Sequence, residues 1–112
     1  MTDLPAQAHL PMPLLPIPVR GITTEVVITP NPSAAGVGIR FSLSETMTVG
    51  YRVFDVRGRL VRESARLDLA AGDQRLDWDG RGSDGRLAPA GVYFLELGAG
   101  SQRVMRTVSL VR

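Results

Sequence analysis

The sequence predicts an all-β fold, an antiparallel β-sandwich of about seven short strands that follows an extended N-terminal arm. Apolar and polar residues alternate in several segments after residue 22, as expected for strands with one buried face. Turn residues interrupt these segments every ~8–12 residues, which is the usual spacing of sandwich strands. The chain has 112 residues, of which 44% are hydrophobic, so it has the size and composition of one folded domain.

Residues 1–21 are predicted to form the arm. They contain five prolines, which disfavour helix and central strand and favour an extended, polyproline-like chain. They also carry more sizeable apolar residues than a solvated linker usually has, namely Leu4, Leu10, Met12, Leu14, Leu15, Ile17 and Val19. Ordering such a segment costs conformational entropy, so we expect it to be fixed only where a groove receives it, on its own domain or on a partner.

Residues 22–112 are predicted to form the sandwich. Short β-branched or alternating segments indicate strands at residues 25–29, 37–43, 48–56, 60–67, 73–79, 92–97 and 104–111. Residues 55–59 are typical of a tight hairpin in which Gly58 supplies a positive φ. The segments 70–72 (AAG) and 98–100 (GAG) predict turns, and residues 80–91, which contain several glycines, predict a loop.

The alternation also predicts which aromatic residues are buried. Trp78 is expected at the centre of the core, together with Tyr51 and Tyr93. If both tyrosines point inward, then Phe54 and Phe94 point outward, because neighbouring side chains in a strand face opposite sides. Exposed aromatic residues on a sheet suggest a docking surface, and the alternative is that the arm or a loop covers them.

The composition excludes several classes of function. The chain has no cysteine, so disulfides, thiol nucleophiles and cysteine-ligated metals are excluded, and the single histidine, His9, lies in the arm. The net charge is only +2, and the arginines between residues 52 and 66 alternate with acidic residues, so no basic patch for nucleic acid is expected. No nucleophile has a partner base, so we expect neither an enzyme nor a cofactor.

One acidic cluster is a weak candidate for a metal site. Asp77, Asp79 and Asp84 lie in the sequence DWDGRGSDG, and Ca²⁺ prefers several oxygen ligands on a flexible backbone. The spacing does not match a helix–loop–helix calcium motif. Turn formation, in which Asp accepts backbone hydrogen bonds and Gly takes a positive φ, is the favoured interpretation.

Several short motifs in order along the chain resemble one known family. They are TPNP (29–32), IRFSL (39–43), VFD (53–55), GRLVR (58–62), AG (71–72), WDGR (78–81), DGR (84–86) and GVYF (91–94). Together they resemble the Ig-like domain of the flagellar hook-capping (FlgD-type) family and the related C-terminal sorting domains of the type IX (Por-type) secretion system. The resemblance covers residues 25–112 and implies an Ig-like β-sandwich of bacterial envelope or extracellular proteins that serves in assembly, attachment or secretion without catalysis.

Three functions follow as hypotheses. The first is a structural subunit that docks on a larger protein complex, which could be embedded in a membrane, with Leu10, Met12, Leu14, Leu15, Ile17, Phe54 and Phe94 as the partner-binding residues. The second is a sorting or cell-surface attachment module, and the third is a small carbohydrate- or calcium-binding module. The resemblance implies an extracytoplasmic location, such as the periplasm, or a membrane-peripheral one. No secretory signal or membrane-spanning segment is recognisable, so a cytoplasmic location stays open.

Overall fold

The computed structural model describes residues 20–112, which form eight β-strands and no helix, so the all-β prediction is confirmed. The strands are β1 (Val27–Thr29), β2 (Val37–Leu43), β3 (Met47–Phe54), β4 (Leu60–Glu63), β5 (Leu67–Leu69), β6 (Gly72–Trp78), β7 (Gly91–Ala99) and β8 (Gln102–Leu110). Within residues 20–112 no helix is present that could cross a membrane. The predicted docking residues Leu10, Met12, Leu14, Leu15 and Ile17 lie outside the described residues.

The strands form two antiparallel sheets. The first has the order β1-β2-β6, and the second has the order β4-β3-β7-β8 with β5 also paired to β3. In the second sheet, β3 and β7 are central, and their register places Tyr51 opposite Leu97 and Phe54 opposite Phe94. The two sheets therefore form the predicted sandwich, with β3 and β7 as the framework of the larger one.

The core lies between the inward faces of the two sheets. Ile39 from β2 and Val53, Leu95 and Leu97 from the larger sheet are fully buried, and Trp78 at the end of β6 is only 1% exposed. The ring of Trp78 meets that of Tyr93 edge-on at a centroid distance of 5.8 Å. Tyr51 and Tyr93 are also buried, so the expected aromatic centre of the core is confirmed.

The strand predicted over residues 60–67 is wrong in one respect, because the structure divides it into β4 and β5. Ser64 interrupts the ladder: its backbone N–H donates to the Tyr51 carbonyl, and its hydroxyl accepts from the Tyr51 N–H at 2.8 Å. A serine side chain that bonds locally to backbone competes with regular strand pairing. The chain leaves β3 after this point and returns at Leu67, which pairs with Val49.

The turn predicted at residues 98–100 also lies further along the chain, since β7 continues to Ala99. Gly98 is paired with Gly50 on one side and Arg103 on the other. A side chain at Gly98 would meet the guanidinium carbon of Arg103 at 3.3 Å. This glycine therefore gives the arginine room to lie across the sheet, and it does not mark a turn.

The chain enters the sandwich at a defined end. Gly21 exchanges hydrogen bonds with Ser44, just after β2, and the backbone N–H of Ile22 donates to the Gln102 side chain at 2.8 Å. Ile22 itself is buried. Residues 21 and 22 are thus held at the end of the sandwich where β2 finishes and β8 begins, while the predicted boundary between arm and domain stays a prediction.

Candidate docking surfaces

A cleft of about 810 Å³ opens at the opposite end of the sandwich. Its walls are the β3–β4 hairpin, the loop over residues 82–90 and the first residues of β7. Pockets for small-molecule ligands commonly have volumes of ~300–1,000 Å³. The cleft is therefore large enough to hold a short extended segment, and we name it the end cleft.

Apolar side chains are concentrated in the end cleft. Val56 is 67% exposed, Leu60 49%, Leu87 52% and Val92 43%. These are four of the eight large hydrophobic residues that are exposed among residues 20–112, and all four line this one cleft. Scattered exposed apolar residues are normal, but a group of them marks an interaction site.

Arginines give the rim of the end cleft a positive charge. Arg57, Arg59 and Arg86 line it beside two carboxylates, Asp55 and Asp84. Arg59 is paired with Asp55 at 2.8 Å. In residues 20–112, the guanidinium groups of Arg57 and Arg86 form no ion pair and no hydrogen bond. Two cations at the rim are consequently available to a ligand.

The hairpin wall of the end cleft is organised by Asp55. Its carboxylate accepts hydrogen bonds from the backbone N–H groups of Arg57 and Arg59, at 2.9 and 3.0 Å, and from the Arg59 Nε at 2.8 Å. The backbone hydrogen bond from Arg59 is the main cause that lowers the pKa of Asp55. Gly58 has φ of 82°, as predicted for this turn. The arrangement holds Val56 and Leu60 on the two sides of one tight turn.

The loop wall is tied to the core by side chains that reach backbone carbonyls. Trp78 Nε1–H donates to the Arg81 carbonyl at 2.9 Å, and the Tyr93 hydroxyl donates to the Pro89 carbonyl at 2.6 Å. Burial raises the pKa of Tyr93, so its hydroxyl stays protonated as a donor. Arg112 bonds the carbonyls of Ala88 and Gly80 from the other side. The loop is therefore a fixed wall of the end cleft.

The two phenylalanines predicted to face outward lie on the outer side of the larger sheet. Phe54 and Phe94 are directly opposite each other, and each is half-buried. The Arg52 guanidinium lies 5.3 Å from the centre of the Phe54 ring and pairs with Glu96 at 2.7 Å. The aromatic patch is thus partly covered from within the domain. Its role in partner binding stays a prediction.

The aromatic pair is continuous with the end cleft. Leu60 pairs with Phe54 across β3 and β4, and Val92 precedes Phe94 by two residues in β7, so all four share one face of the sheet. Leu60 and Val92 also line the end cleft. The two surfaces together form an apolar path from the outer sheet face into the cleft.

The acidic cluster is engaged in turns and ion pairs. Asp79 and Asp84 each accept the backbone N–H two residues ahead, at 3.0 and 2.9 Å, and Asp77 pairs with Arg75 at 3.0 Å. Within the described part of the chain no three metal-ligating side chains converge. The geometry fits turn chemistry, and calcium binding stays a prediction without a supporting observation.

Apart from Asp84, a weak metal candidate, the residues of the end cleft were not among the predicted site residues. Val56 and Leu87 lie in turn and loop segments, whose residues are usually polar or small. A large apolar residue between turn-forming neighbours was the available signal in the sequence. What the sequence did not indicate is that two such segments, 31 positions apart between Val56 and Leu87, meet in one cleft.

Comparison with known proteins agrees with this architecture. A model of the FlgD Ig-like domain matches residues 28–102, which is more than half of the chain. No curated protein shows a significant match. The predicted resemblance to FlgD and Por-type domains is therefore confirmed at the level of the family and, as the solved structures show, of the fold.

Several solved structures have a similar fold, among them PorU, PorZ and FlgD. Dimeric latent PorU from Porphyromonas gingivalis has a TM-score of 0.67 at 17% identity, covering 83% of this chain and 10% of PorU. PorZ, a surface component of the type IX secretion system of the same organism, has a TM-score of 0.56 at 22% identity, covering 78% of this chain and 11% of PorZ. FlgD from Pseudomonas aeruginosa has a TM-score of 0.54 at 24% identity, covering 75% of this chain and 70% of FlgD.

At these identities the likeness shows a shared fold, and this chain corresponds to about a tenth of PorU and PorZ. The shared domain indicates a structural or interaction module. On the family match, and on the two-sheet sandwich that agrees with it, the chain belongs to the FlgD Ig-like domain family.

Proposed function

We propose that this chain is a non-catalytic interaction subunit that docks on a larger bacterial envelope or membrane-associated complex. The observation that carries this proposal is the apolar path formed by Phe54, Phe94, Leu60 and Val92, which leads into the end cleft. The free energy falls when a partner covers apolar groups that were exposed to water. Docking would use the outer sheet face together with the arm.

A preformed surface supports this role. The hairpin is fixed by Asp55, and the loop is fixed by Trp78 and Tyr93, so neither wall has to become ordered when a partner binds. Preorganisation lowers the entropic cost of association, and affinity depends on this cost as much as on buried area. The sandwich would therefore act as a rigid body with one apolar end.

The arm supplies the second part of the proposal, and its support comes from the sequence. Leu10, Met12, Leu14, Leu15 and Ile17 alternate with prolines in a segment that favours an extended chain. Extended proline-rich segments dock in apolar grooves with a small loss of conformational entropy. We assign these residues to the contact with the partner.

The two tyrosines whose pKa values are raised, Tyr51 and Tyr93, support a role without catalysis. Burial raises the pKa values of Tyr51 and Tyr93, and both hydroxyls donate to backbone carbonyls, those of Asp77 and Pro89. Groups used in this way hold the fold together. In residues 20–112 the end cleft pairs no nucleophilic side chain with a base.

An envelope location is part of the proposal. Its support is the similarity to PorZ, described as a surface component of a secretion system, and to FlgD. The same similarity favours a second candidate function, that of a sorting or attachment module read by secretion machinery. Fusion of residues 22–112 to an exported reporter distinguishes the two, because only a sorting module would change the reporter's surface display.

The main test uses the tagged full-length chain in its source cells. The native mass of its complex is measured after gentle solubilisation, for the wild type, for F54A/F94A and for L14S/L15S. We expect both variants to shift the chain from the large complex toward the free form. The matched control is Leu67→Ala, since Leu67 is exposed on β5 outside the apolar path. An unchanged complex in both variants would contradict the proposal.

A further inference from the structure

We propose that the end cleft receives the proline-rich arm of a second copy of this chain, so that copies join head to tail. The inference rests on the proposed function, in which the arm inserts into a groove, and it names the groove. Its basis is the chemistry of the end cleft, the composition of the arm and the positions of both on the sandwich.

The end cleft and the arm are chemically complementary. The cleft presents Val56, Leu60, Leu87 and Val92 to solvent, and the arm carries seven sizeable apolar residues. The rim has two unpaired guanidinium groups among the described residues. Residues 1–19 contain no lysine or arginine, and their one acidic residue is Asp3. Residues 10–17 are apolar and uncharged, so they fit an apolar cleft, and the lack of basic side chains in residues 1–19 avoids repulsion by the arginines of the rim.

The arm and the end cleft are at opposite ends of the domain. Strand β7 begins at Gly91, in the wall of the cleft, and ends at Ala99. Ala99 pairs with Gln102, which holds the backbone of Ile22. The eight residue steps of β7 span ~27 Å at the usual rise of a strand. The arm therefore starts about this far from the cleft of its own chain.

This distance limits which residues can reach the end cleft within one chain. A chain spans at most about 3.6 Å per residue, so Ile17 lies within ~18 Å of Ile22 and Leu15 within ~25 Å. The nearest wall of the cleft, at Tyr93, lies six strand steps or ~20 Å from Ala99, so Ile17 cannot reach the cleft of its own domain, and Leu15 can do so only with the chain between them nearly extended. In a second copy the whole apolar segment from Leu10 to Ile17 is free to enter.

The resulting contact is heterologous, because one end of each copy meets the other end of the next. Such a contact leaves one arm and one cleft unused in any open assembly, so it produces rings or filaments whose size depends on concentration. Assemblies of this kind would present many outer sheet faces together. Multiple docking faces would strengthen attachment to a larger complex through avidity.

The test measures the mass of the purified full-length chain by sedimentation velocity, from low to high micromolar concentration. The wild type is expected to grow with concentration. Leu87→Asp, in the cleft, and L14D/L15D, in the arm, are each expected to remain monomeric. An equimolar mixture of these two variants should form dimers and nothing larger, because it contains one working arm and one working cleft per pair.

Two further variants make the test specific. Leu67→Asp is the matched control, since Leu67 is 48% exposed and Leu87 is 52% exposed, yet only Leu87 lines the cleft. Leu67→Asp should assemble like the wild type. Val56→Asp is a second cleft variant at a side chain that is 67% exposed, so its folding should not be affected. Far-UV circular dichroism and thermal unfolding check the fold of each variant.

Several results would overturn the inference. They are a wild type that is monomeric at every concentration, a mixture of the two variants that forms no dimer, and an equal effect of the control and Leu87→Asp. A monomeric wild type whose arm is protected from protease would assign the cleft to the arm of the same chain. If the wild type is monomeric but the cellular complex is lost in L14S/L15S, this inference fails and the proposed function stands. The opposite pattern would reject the proposed function alone.

Discussion

Replacing Trp78 with phenylalanine tests how the core supports the end cleft. The indole is 1% exposed, it packs edge-on against Tyr93, and its N–H donates to the Arg81 carbonyl at 2.9 Å. Phenylalanine keeps an aromatic ring in this position, but it is smaller and has no donor. The substitution therefore removes one hydrogen bond to the loop wall and leaves a void next to Tyr93.

The expected loss of stability follows from these two contributions. Loss of the hydrogen bond should cost about 1 kcal/mol, since the net value of such bonds is ~0.5–1.5 kcal/mol. The void should cost a further ~1–2 kcal/mol, because complete truncation of a buried aromatic residue to alanine costs ~3–5 kcal/mol. The free energy of unfolding should thus fall by about 2–3 kcal/mol. For a domain of this size that corresponds to a decrease in Tm of ~10–20 °C.

Urea unfolding followed by far-UV circular dichroism measures this loss without relying on the tryptophan signal. The midpoint should fall while the slope with urea stays the same, since the exposed surface on unfolding hardly changes. Tyr51→Phe is the comparison, because it removes one hydrogen bond, to the Asp77 carbonyl, and leaves little void. It should cost about 1 kcal/mol. A loss below 1 kcal/mol for Trp78→Phe would refute the packing described here.

Three other predictions concern the segments around the end cleft. Gly36→Ala should lower the free energy of unfolding by about 2–3 kcal/mol in urea titrations, because its new Cβ would collide with the Trp78 carbonyl and lie 2.8 Å from the Asp79 Cα. Gly50→Ala should cost less, since the atom nearest to its new Cβ is 3.3 Å away. Asp55→Asn should be less stable than the wild type near neutral pH and equal to it well below pH 3.8. The pKa of Asp55 is lowered in the folded protein, so its carboxylate stabilises the fold above pH 3.8, and this stabilisation is lost as the pH falls through the lowered pKa. A difference in Tm that stays constant across pH would contradict this. Arg112→Ala should lower the free energy of unfolding by about 2 kcal/mol, measured by thermal unfolding. Arg112→Lys should not restore this stability, because one ammonium group cannot bridge the carbonyls that the guanidinium holds. Full rescue by lysine would show that the charge alone matters.

The strands and the buried residues could be read from the order of the residues. Alternation in β2, β3 and β7 correctly indicated that Tyr51, Val53, Tyr93 and Leu95 are buried, because the period of two along a strand is a local property. Glycine in the β3–β4 hairpin was likewise predictable from local backbone preference at Gly58. The break at Ser64 was missed, since it depends on a hydrogen bond to Tyr51 in another strand.

The candidate site was less predictable. Phe54 and Phe94 were expected to face outward, and they do, but their pairing and the cover from Arg52 come from the register between β3 and β7. The end cleft depends on contacts between a hairpin and a loop that are distant in the sequence, so no local pattern indicates it. The sequence alone determines which side chains are buried, because burial follows the period of two along each strand. Which of the remaining apolar side chains come together at the surface depends on how the strands pair and how the loops are tied to the core, and these arise only when the chain has folded.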